Sequence, residues 1–466
     1  MNEKVIFKAV CERDFSFFSK QMLKVIEPET VFLWNWHLDE LCKACEAVHR
    51  GEYPKLDINM PPRMLKSLIV NVLFPAWVWT IDPSKKFLCA SGSYNLSIDF
   101  NIKRRDLITS ELYQSLWRIG LKDDKNRNDS FSNESGGLMH AVSSMGRITG
   151  KGGDYQISDD LIDAMDSFSK TKREAVKRWY NSAFYNRAQD KKTVKRININ
   201  QRLHQQDISA ELREKGFERM VLEMVKTDKN ESTIEFNDPR EFGELLFPKR
   251  YGIAEMEDDK KALGSYGWSS QYQQRPSPMG GGIIKREWLR FYDRAVSFNR
   301  VIITADLTFK GTKTSDYVSF MAWGASGSDK YLIDVVRGKW SYKETKDRFR
   351  MFCDKHQNAQ VKYIEDKANG SALISDLKDE INRIRAWPEK GSNYMSADKI
   401  ERLHLVQPEF EMGQVYFPKD IELMEEYIEE LLGFTDSGST TGHDDMVDTT
   451  TMALLELKKT KTFFQS

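Results

Sequence analysis

Cysteine is scarce. The chain has five, an odd number, at positions 11, 42, 45, 89 and 353. That excludes a disulfide framework and fits a reducing compartment. Cys42 and Cys45 have a metal-like spacing, but no second Cys/His pair lies near them, so they are expected on a buried helix face. A long hydrophobic run is also missing. The longest, Leu68–Ile81, is interrupted by Asn71 and Pro75 and falls short of the roughly 20 residues that cross a bilayer. The opening residues, MNEKVIFKAVCERDF, lack the basic start and apolar stretch of a secretory signal. Charge of one sign is absent too: Lys+Arg and Asp+Glu are each 70, a formal net charge of zero. Any polyanionic partner must be met by local patches. No fixed-period repeat and no low-complexity tract is visible.

What remains is a chain able to build cores. Hydrophobic residues make up 40% of its 466 positions and aromatics 12%, and the length suits two or three domains. The one composition shift is Arg275-Pro-Ser-Pro-Met-Gly-Gly-Gly282, which reads as punctuation. The expected organisation is a first domain over 1–274, with a helical lead-in over about 1–50, a linker over 275–285 and a second domain over 286–466. In the first, short apolar strands (Leu56–Met60, Lys86–Ser91, Tyr155–Ser158, Val194–Asn200) alternate with helical stretches, a pattern of parallel α/β sheets. In the second, Val301–Ala305, Tyr317–Trp323 and Tyr331–Val336 read as consecutive strands. A helix over Ser341–His356 and a strand over Val361–Ile364 follow, an α+β arrangement.

The first strand runs into Pro61-Pro62-Arg63-Met64-Leu65-Lys66-Ser67 and then an apolar helix. Strand, tight loop, Lys-Ser, helix is the context in which backbone N–H groups cradle phosphate, Lys reaches the β/γ phosphates and Ser binds Mg²⁺. Met60 and Leu65 stand where such loops usually carry glycine. The strand before Asp159-Asp160 ends in two carboxylates, the first suited to Mg²⁺ and the second to orienting water. The strand Val194–Asn200 ends in Gln201-Arg202-Leu203-His204, a place from which a polar residue can sense a γ-phosphate.

Three acids mark the second half. Asp306 and Glu365 each end a buried-type strand, and His443-Asp444-Asp445-Met-Val-Asp448 opens the last apolar helix, Thr449–Leu457. Asp445 and Asp448 share a helix face. Converging carboxylates repel unless a cation neutralises them, and hard oxygen ligands suit Mg²⁺ or Mn²⁺. Two such ions about 3.5–4 Å apart cleave phosphodiesters. Strand-Asp, strand-Glu, helix-Asp is the order of an RNase H-like nuclease.

Taken in order, Trp36-His37, Pro61-Pro62-Arg63…Lys66-Ser67, Thr149-Gly-Lys-Gly-Gly-Asp154, Asp159-Asp160 and Gln201-Arg202-Leu203-His204 resemble the large terminase subunits of tailed bacteriophages. So do Gln271-Tyr-Gln-Gln-Arg-Pro276 and Ile364-Glu365-Asp366-Lys367-Ala-Asn-Gly370, together with the Asp306 and His443–Asp448 motifs, which match the terminase nuclease half. The resemblance implies a RecA-like parallel-sheet ATPase domain followed by an RNase H-like nuclease domain. It implies ATP-driven translocation of viral double-stranded DNA into proheads and metal-dependent cutting of concatemers. Lys66 and Ser67 would serve ATP and Mg²⁺, with Arg63 beside them and His37 where relatives read adenine. Asp159 would hold the metal, Asp160 would act on water, and Gln201 would couple hydrolysis to movement. Relatives often carry an arginine two residues after the Gly136-Gly137 pair. Met139 stands there in this chain, leaving Arg147 and Arg63 as candidate fingers.

By the same resemblance Asp306, Glu365 and one or more of Asp444, Asp445 and Asp448 would bind Mg²⁺ or Mn²⁺. Asp445 is favoured and Asp448 assists. Asp316 and Asp366 are weaker members. Implied partners are a portal protein, a small terminase subunit and further copies in a five-membered ring, with no membrane, in the host bacterial cytoplasm. The basic runs Lys103-Arg104-Arg105 and Lys191-Lys192…Lys195-Arg196 are candidate phosphate contacts, though such runs are usually solvated faces. The rival readings are a metal-dependent nuclease whose ATPase has decayed, a transposase with the same carboxylate fold, or a non-catalytic prophage remnant.

Overall fold

The computed structural model describes residues 3–148, 150–229, 231–276, 282–307, 317–366, 368–392, 394–435, 438–440 and 443–458. The chain divides into two compact units, Met1–Ser277 and Pro278–Ser466.

The first unit opens with three helices, α1 (Glu3–Arg13), α2 (Phe15–Ile26) and α3 (Trp36–Arg50). Asp14 caps α2 by accepting from the Phe17 amide, satisfying one of the helix's unpaired donors. Phe15 and Phe18 are fully buried, and the Phe15 ring packs against Phe74 and Trp77. The lead-in is therefore part of the core. Cys42 and Cys45 lie buried on α3.

Eight strands follow: β1 (Lys55–Asn59), β2 (Lys86–Ser91), β3 (Leu121–Arg127), β4 (Ser130–Asn133), β5 (Leu138–Ser143), β6 (Tyr155–Asp159), β7 (Lys195–Asn200) and β8 (Glu218–Val221). Between them run α4 (Phe74–Ile81), α5 (Tyr94–Thr109), α6 (Glu111–Trp117), α7 (Lys170–Trp179) and α8 (Ile208–Glu214), and α9 (Ile253–Gly267) comes after. The sheet order is β3-β4-β5-β2-β6-β7-β1-β8. From β5 to β8 every neighbour is parallel, and β3 and β4 add an antiparallel edge. This bears out the expected parallel α/β sheet. Side chains alternate between faces. Leu56, Ile58, Tyr155, Ile157, Ile197 and Ile199 join one apolar cluster with Phe74 and Trp77. The opposite face carries Asp57, Asn59, Asn198 and Asn200, which bond one another and Ser209 on α8 at 2.7–3.3 Å.

The second unit has a seven-stranded sheet built from β9 (Arg290–Tyr292), β10 (Arg300–Leu307), β11 (Val318–Ser326), β12 (Asp329–Gly338), β13 (Val361–Glu365), β14 (Ile384–Trp387) and β15 (Val415–Pro418). Its order is β14-β13-β10-β11-β12-β15-β9. The three consecutive strands β10, β11 and β12 pair antiparallel, while β13 joins β10 in parallel. Helices α10 (Tyr342–Lys355), α11 (Ala368–Leu377), α12 (Lys399–Glu411), α13 (Met424–Leu432) and α14 (Asp445–Lys458) cover it. Along β10, Val301, Ile303 and Ala305 pack with Phe349 and Phe352 of α10. Ile302 packs in a separate cluster with Met446, Val447 and Met452 of α14, and Thr304 Oγ1 bonds the Thr449 carbonyl of α14 at 3.0 Å. Period-two alternation thus sends Asp306 to the α14 face.

Several expectations change. Gln271–Pro276, matched by resemblance to the nuclease half, belongs to the first unit. The boundary between the two units falls within the expected linker over 275–285, and residues at both of its ends are bonded. Arg275 bonds Glu223 and Thr227, and Ile283 bonds the Phe434 carbonyl at 2.7 Å, while residues 277–281 lie outside the described residues. The basic runs are not uniform charged faces. Arg104 is fully buried and donates to Cys89 Sγ at 2.6 Å, and Arg196 is buried against Gln156. Lys191 and Lys192 are exposed.

Candidate active sites

In the first unit the loop after β1 and the ends of β6 and β7 converge. The sheet places β7 between β1 and β6. Lys66 Nζ lies 3.1 Å from Asp160 Oδ2, and Ser67 Oγ donates to Asp159 Oδ1 at 2.9 Å. Asn71, absent from the sequence reading, donates to Asp159 Oδ2 at 3.1 Å. It sits one turn beyond Ser67, on the π-helical stretch Leu68–Leu73 that leads into α4. The Gln201 amide joins the two acids, donating to Asp160 Oδ1 at 3.1 Å.

The loop achieves its shape without glycine. Arg63 and Leu65 both have φ of 63°, and Asp160 has φ of 40°, a region that non-glycine residues rarely enter and that clusters at functional sites. Gly92 at the end of β2 makes room beside Asp160: a Cβ there would lie 2.5 Å from the Asp160 carbonyl oxygen. Burial, with Asp160 adding repulsion, pushes the Asp159 carboxyl up to about 7, against the pull of Lys66, Asn71 and Ser67. A buried acid so penalised, with a serine hydroxyl on one oxygen, fits a hard divalent cation.

His37 is placed differently from the expectation of a base-reading residue. It is fully buried at the start of α3. Nδ1 faces Asn35 Nδ2 at 2.7 Å, Nε2 lies 3.4 Å from the Met64 carbonyl, and its ring packs against Phe247. It supports the loop through the backbone. Burial lowers its imidazole to about 4, and Arg240 and Arg250 act in the same direction. Arg63 and Arg147 are both exposed. A cleft of about 580 Å³ opens beside Asp160 and Gln201, lined also by Ser93, Ser144 and Lys172.

In the second unit, ligand oxygens of Asp306, Glu365 and Asp448 all lie within 4.8 Å of one another, and all three residues are buried. The strand ends of β10 and β13 supply the first two and the first turn of α14 the third. On β13, Val361 and Tyr363 pack into the α14-side cluster, so Glu365 falls on the same face as Asp306. An all-carboxylate set at this spacing fits Mg²⁺ or Mn²⁺.

The favoured Asp445 is not in that set. Its Oδ2 lies 3.2 Å from Arg337 Nη2 on β12, and Glu430 of α13 reaches the same guanidinium at 3.1 Å. Glu430 also accepts from the Met446 and Val447 amides at 2.8 and 3.0 Å. A side chain from α13 thus caps α14 and turns Asp448, one turn on, toward the strand ends. Asp444 pairs with Lys399 at 2.8 Å. Two residues that sequence reasoning missed complete the centre: Lys399 reaches Asp448 at 2.5 Å and Arg402 reaches Glu365 at 3.0 Å. They stand three apart in the first turn of α12, after its Asp398 cap, and that i, i+3 spacing is the only signal the sequence held. Burial and Glu365 push Asp448 up to about 6, with Lys399 and Arg402 opposing. Asp366 bonds Ser371 Oγ at 2.5 Å, whereas Asp316 and Lys367 lie outside the described residues.

Comparison with known proteins bears on the fold. Residues 303–457 match the family model of the terminase RNaseH-like domain. The large terminase of a thermophilic bacteriophage shares the fold at 11% identity, covering 94% of this chain and 98% of that one, with a TM-score of 0.52. The same phage's large terminase in complex with ATP-gamma-S gives 10% identity, 89% and 98% coverage and a TM-score of 0.53. The large terminase nuclease from thermophilic phage G20c aligns at 19% identity over 38% of this chain and 98% of its own, with a TM-score of 0.28. No curated protein sequence matches the chain. Residues 303–457 thus match the model of the terminase RNaseH-like domain, and along most of its length the chain has a fold similar to that of a bacteriophage large terminase.

Proposed function

We propose that the chain is a large terminase subunit, hydrolysing ATP to move viral double-stranded DNA into proheads and cutting concatemeric DNA with a divalent metal. One observation carries the reading. A single chain holds both a Lys66/Ser67 loop paired to Asp160/Asp159 and a buried Asp306/Glu365/Asp448 centre.

Lys66 brings positive charge to the β/γ phosphates, and the loop amides and helix start hold their oxygens. Asp160, half-buried beside the 580 Å³ cleft, accepts the proton of the attacking water. Ser67 and Asp159 would hold Mg²⁺, which would neutralise phosphate charge. Gln201 is bonded to the acid through its backbone and senses the reacting end. In the second unit Asp306, Glu365 and Asp448 would hold Mg²⁺ or Mn²⁺, which would activate water and stabilise the leaving oxygen. Lys399 and Arg402 fix the carboxylates in place. The thermophilic phage protein of like fold was solved with ATP-gamma-S, a ligand that suits the groups around Lys66. The portal protein, a small terminase subunit, a five-membered ring and the host cytoplasm complete the reading. No helix among the described residues is long and apolar enough to cross a membrane.

The test is DNA-stimulated ATP hydrolysis by the purified chain beside Lys66→Ala and Asp159→Ala. Turnover that both substitutions abolish supports the motor reading. Absence of turnover with DNA, portal and small subunit present would leave a nuclease on a silent ATPase fold.

A further inference from the structure

The run Gln271-Tyr-Gln-Gln-Arg275 has three consecutive side chains fixed to three different places in the first unit. Gln273 pairs its amide with both backbone groups of Val225, at 2.9 and 3.0 Å. Gln274 Oε1 accepts from the Arg202 amide at 2.9 Å, and its Nε2 donates to the Gln271 carbonyl at 2.5 Å. Arg275 donates to Glu223 and to Thr227. Gln274 is 1% exposed and sits at φ of 57°. A glutamine in the left-handed region persists only where the surroundings over-determine it.

The partner of Gln274 decides its meaning. Gln201 and Arg202 offer successive amides at the end of β7. The first donates to Asp160 Oδ1 and the second to Gln274 Oε1. Asp160 in turn holds Lys66. Lys66, Asp160, the 201–202 peptides and Gln274 thus form one connected line of polar contacts. It runs from the phosphate loop to a residue close to Ser277, the last of the unit. Phosphate oxygens compete with Asp160 for the Lys66 ammonium. With Lys66 drawn to them, Asp160 would be free to change its hold on the Gln201 amide, and the adjoining Arg202 amide would move with it.

We propose that Gln274 is a positioning residue that reads the nucleotide state of the loop through the Arg202 amide and passes it to the closing segment of the unit. The inference rests on the ATP-binding reading of the loop. The test is hydrogen–deuterium exchange of the full chain with and without Mg²⁺ and ATP-gamma-S, with nucleotide binding measured separately by equilibrium dialysis. In the wild type, exchange at 200–206 and at 268–276 changes together on binding. Gln274→Leu lacks the acceptor: it keeps the change at 200–206, loses it at 268–276, and turns over ATP within about threefold of wild type. Should Gln274→Leu melt far below the wild type, Gln274→Asn, too short to reach the amide, takes its place. A wild-type pattern in the variant lacking the acceptor overturns the proposal, and so does an unchanged 268–276 when ATP-gamma-S binds. Failure of ATP-gamma-S to bind at all removes the reading of the loop instead, and this inference with it.

Discussion

Lys66 Nζ stands 3.1 Å from Asp160 Oδ2, so the cation suited to phosphate is paired with the acid suited to water. The two roles separate on substitution. Asp160→Asn keeps a polar side chain beside Lys66 and retains ATP affinity. It lowers turnover by about 10²–10⁴-fold, the usual worth of a positioned base. Nucleotide binding and phosphate release measured on one preparation check this, and equal loss of both would place Asp160 in binding alone.

Leu65 holds φ of 63° where glycine would be at ease. The left-handed region costs an L-residue roughly 1–2 kcal/mol. Leu65→Gly therefore leaves nucleotide affinity unchanged or raises it, as read by titration with a fluorescent ATP analogue. A large loss of affinity would mean that the Leu65 side chain, and not the backbone, serves the loop.

Asp448 and Asp445 lie one turn apart on α14 but part company in chemistry. Asp448→Asn removes a member of the buried triad, and both Mn²⁺ binding by calorimetry and plasmid cutting should disappear, as for Asp306→Asn. Asp445→Asn leaves the triad complete but weakens the Arg337 pair. It should retain Mn²⁺ binding while lowering stability by about 1–2 kcal/mol. Loss of metal by Asp445→Asn with normal stability would restore Asp445 as a ligand.

His37 gives a pH dependence of defined sign. Burial lowers its imidazole from 6.5 to about 4. Between these values the unfolded chain binds a proton that the folded chain refuses. The stability that neutral His37 brings is full above pH 6.5 and is lost as pH falls toward 4. His37→Gln cannot titrate. The stability gap between wild type and variant should narrow by up to about 2 kcal/mol on going from about pH 7.5 to about pH 5 in urea melts. A gap that widens on acidification would show that His37 is charged in the fold.

Much of this was legible in order and alternation. The strand ends before Lys66, after Tyr155 and after Val194 could be placed because apolar runs break at polar residues, and the sheet then brings them together. Asp306 and Glu365 were equally plain, since each closes a buried strand. The third acid was not. Choosing Asp448 over Asp445 depends on Arg337 of β12 and Glu430 of α13, neither of which neighbours α14 in sequence. His37 shows the same limit: its motif position suggests a ligand contact, while its burial beside the Met64 carbonyl depends on Phe247, far along the chain. Arg104 reads as one charge in a basic run, yet helix α5 turns it inward to Cys89. In each case a long-range partner decides what a local pattern leaves open.

The helix that supplies Asp448 comes late in the chain, well after the strands that end in Asp306 and Glu365. During synthesis the ribosome releases both strands before the third carboxylate exists. A nascent chain, or one interrupted before α14, carries two acids of the set and no completed centre. Any chemistry that needs all three carboxylates therefore waits until the last helix has been made.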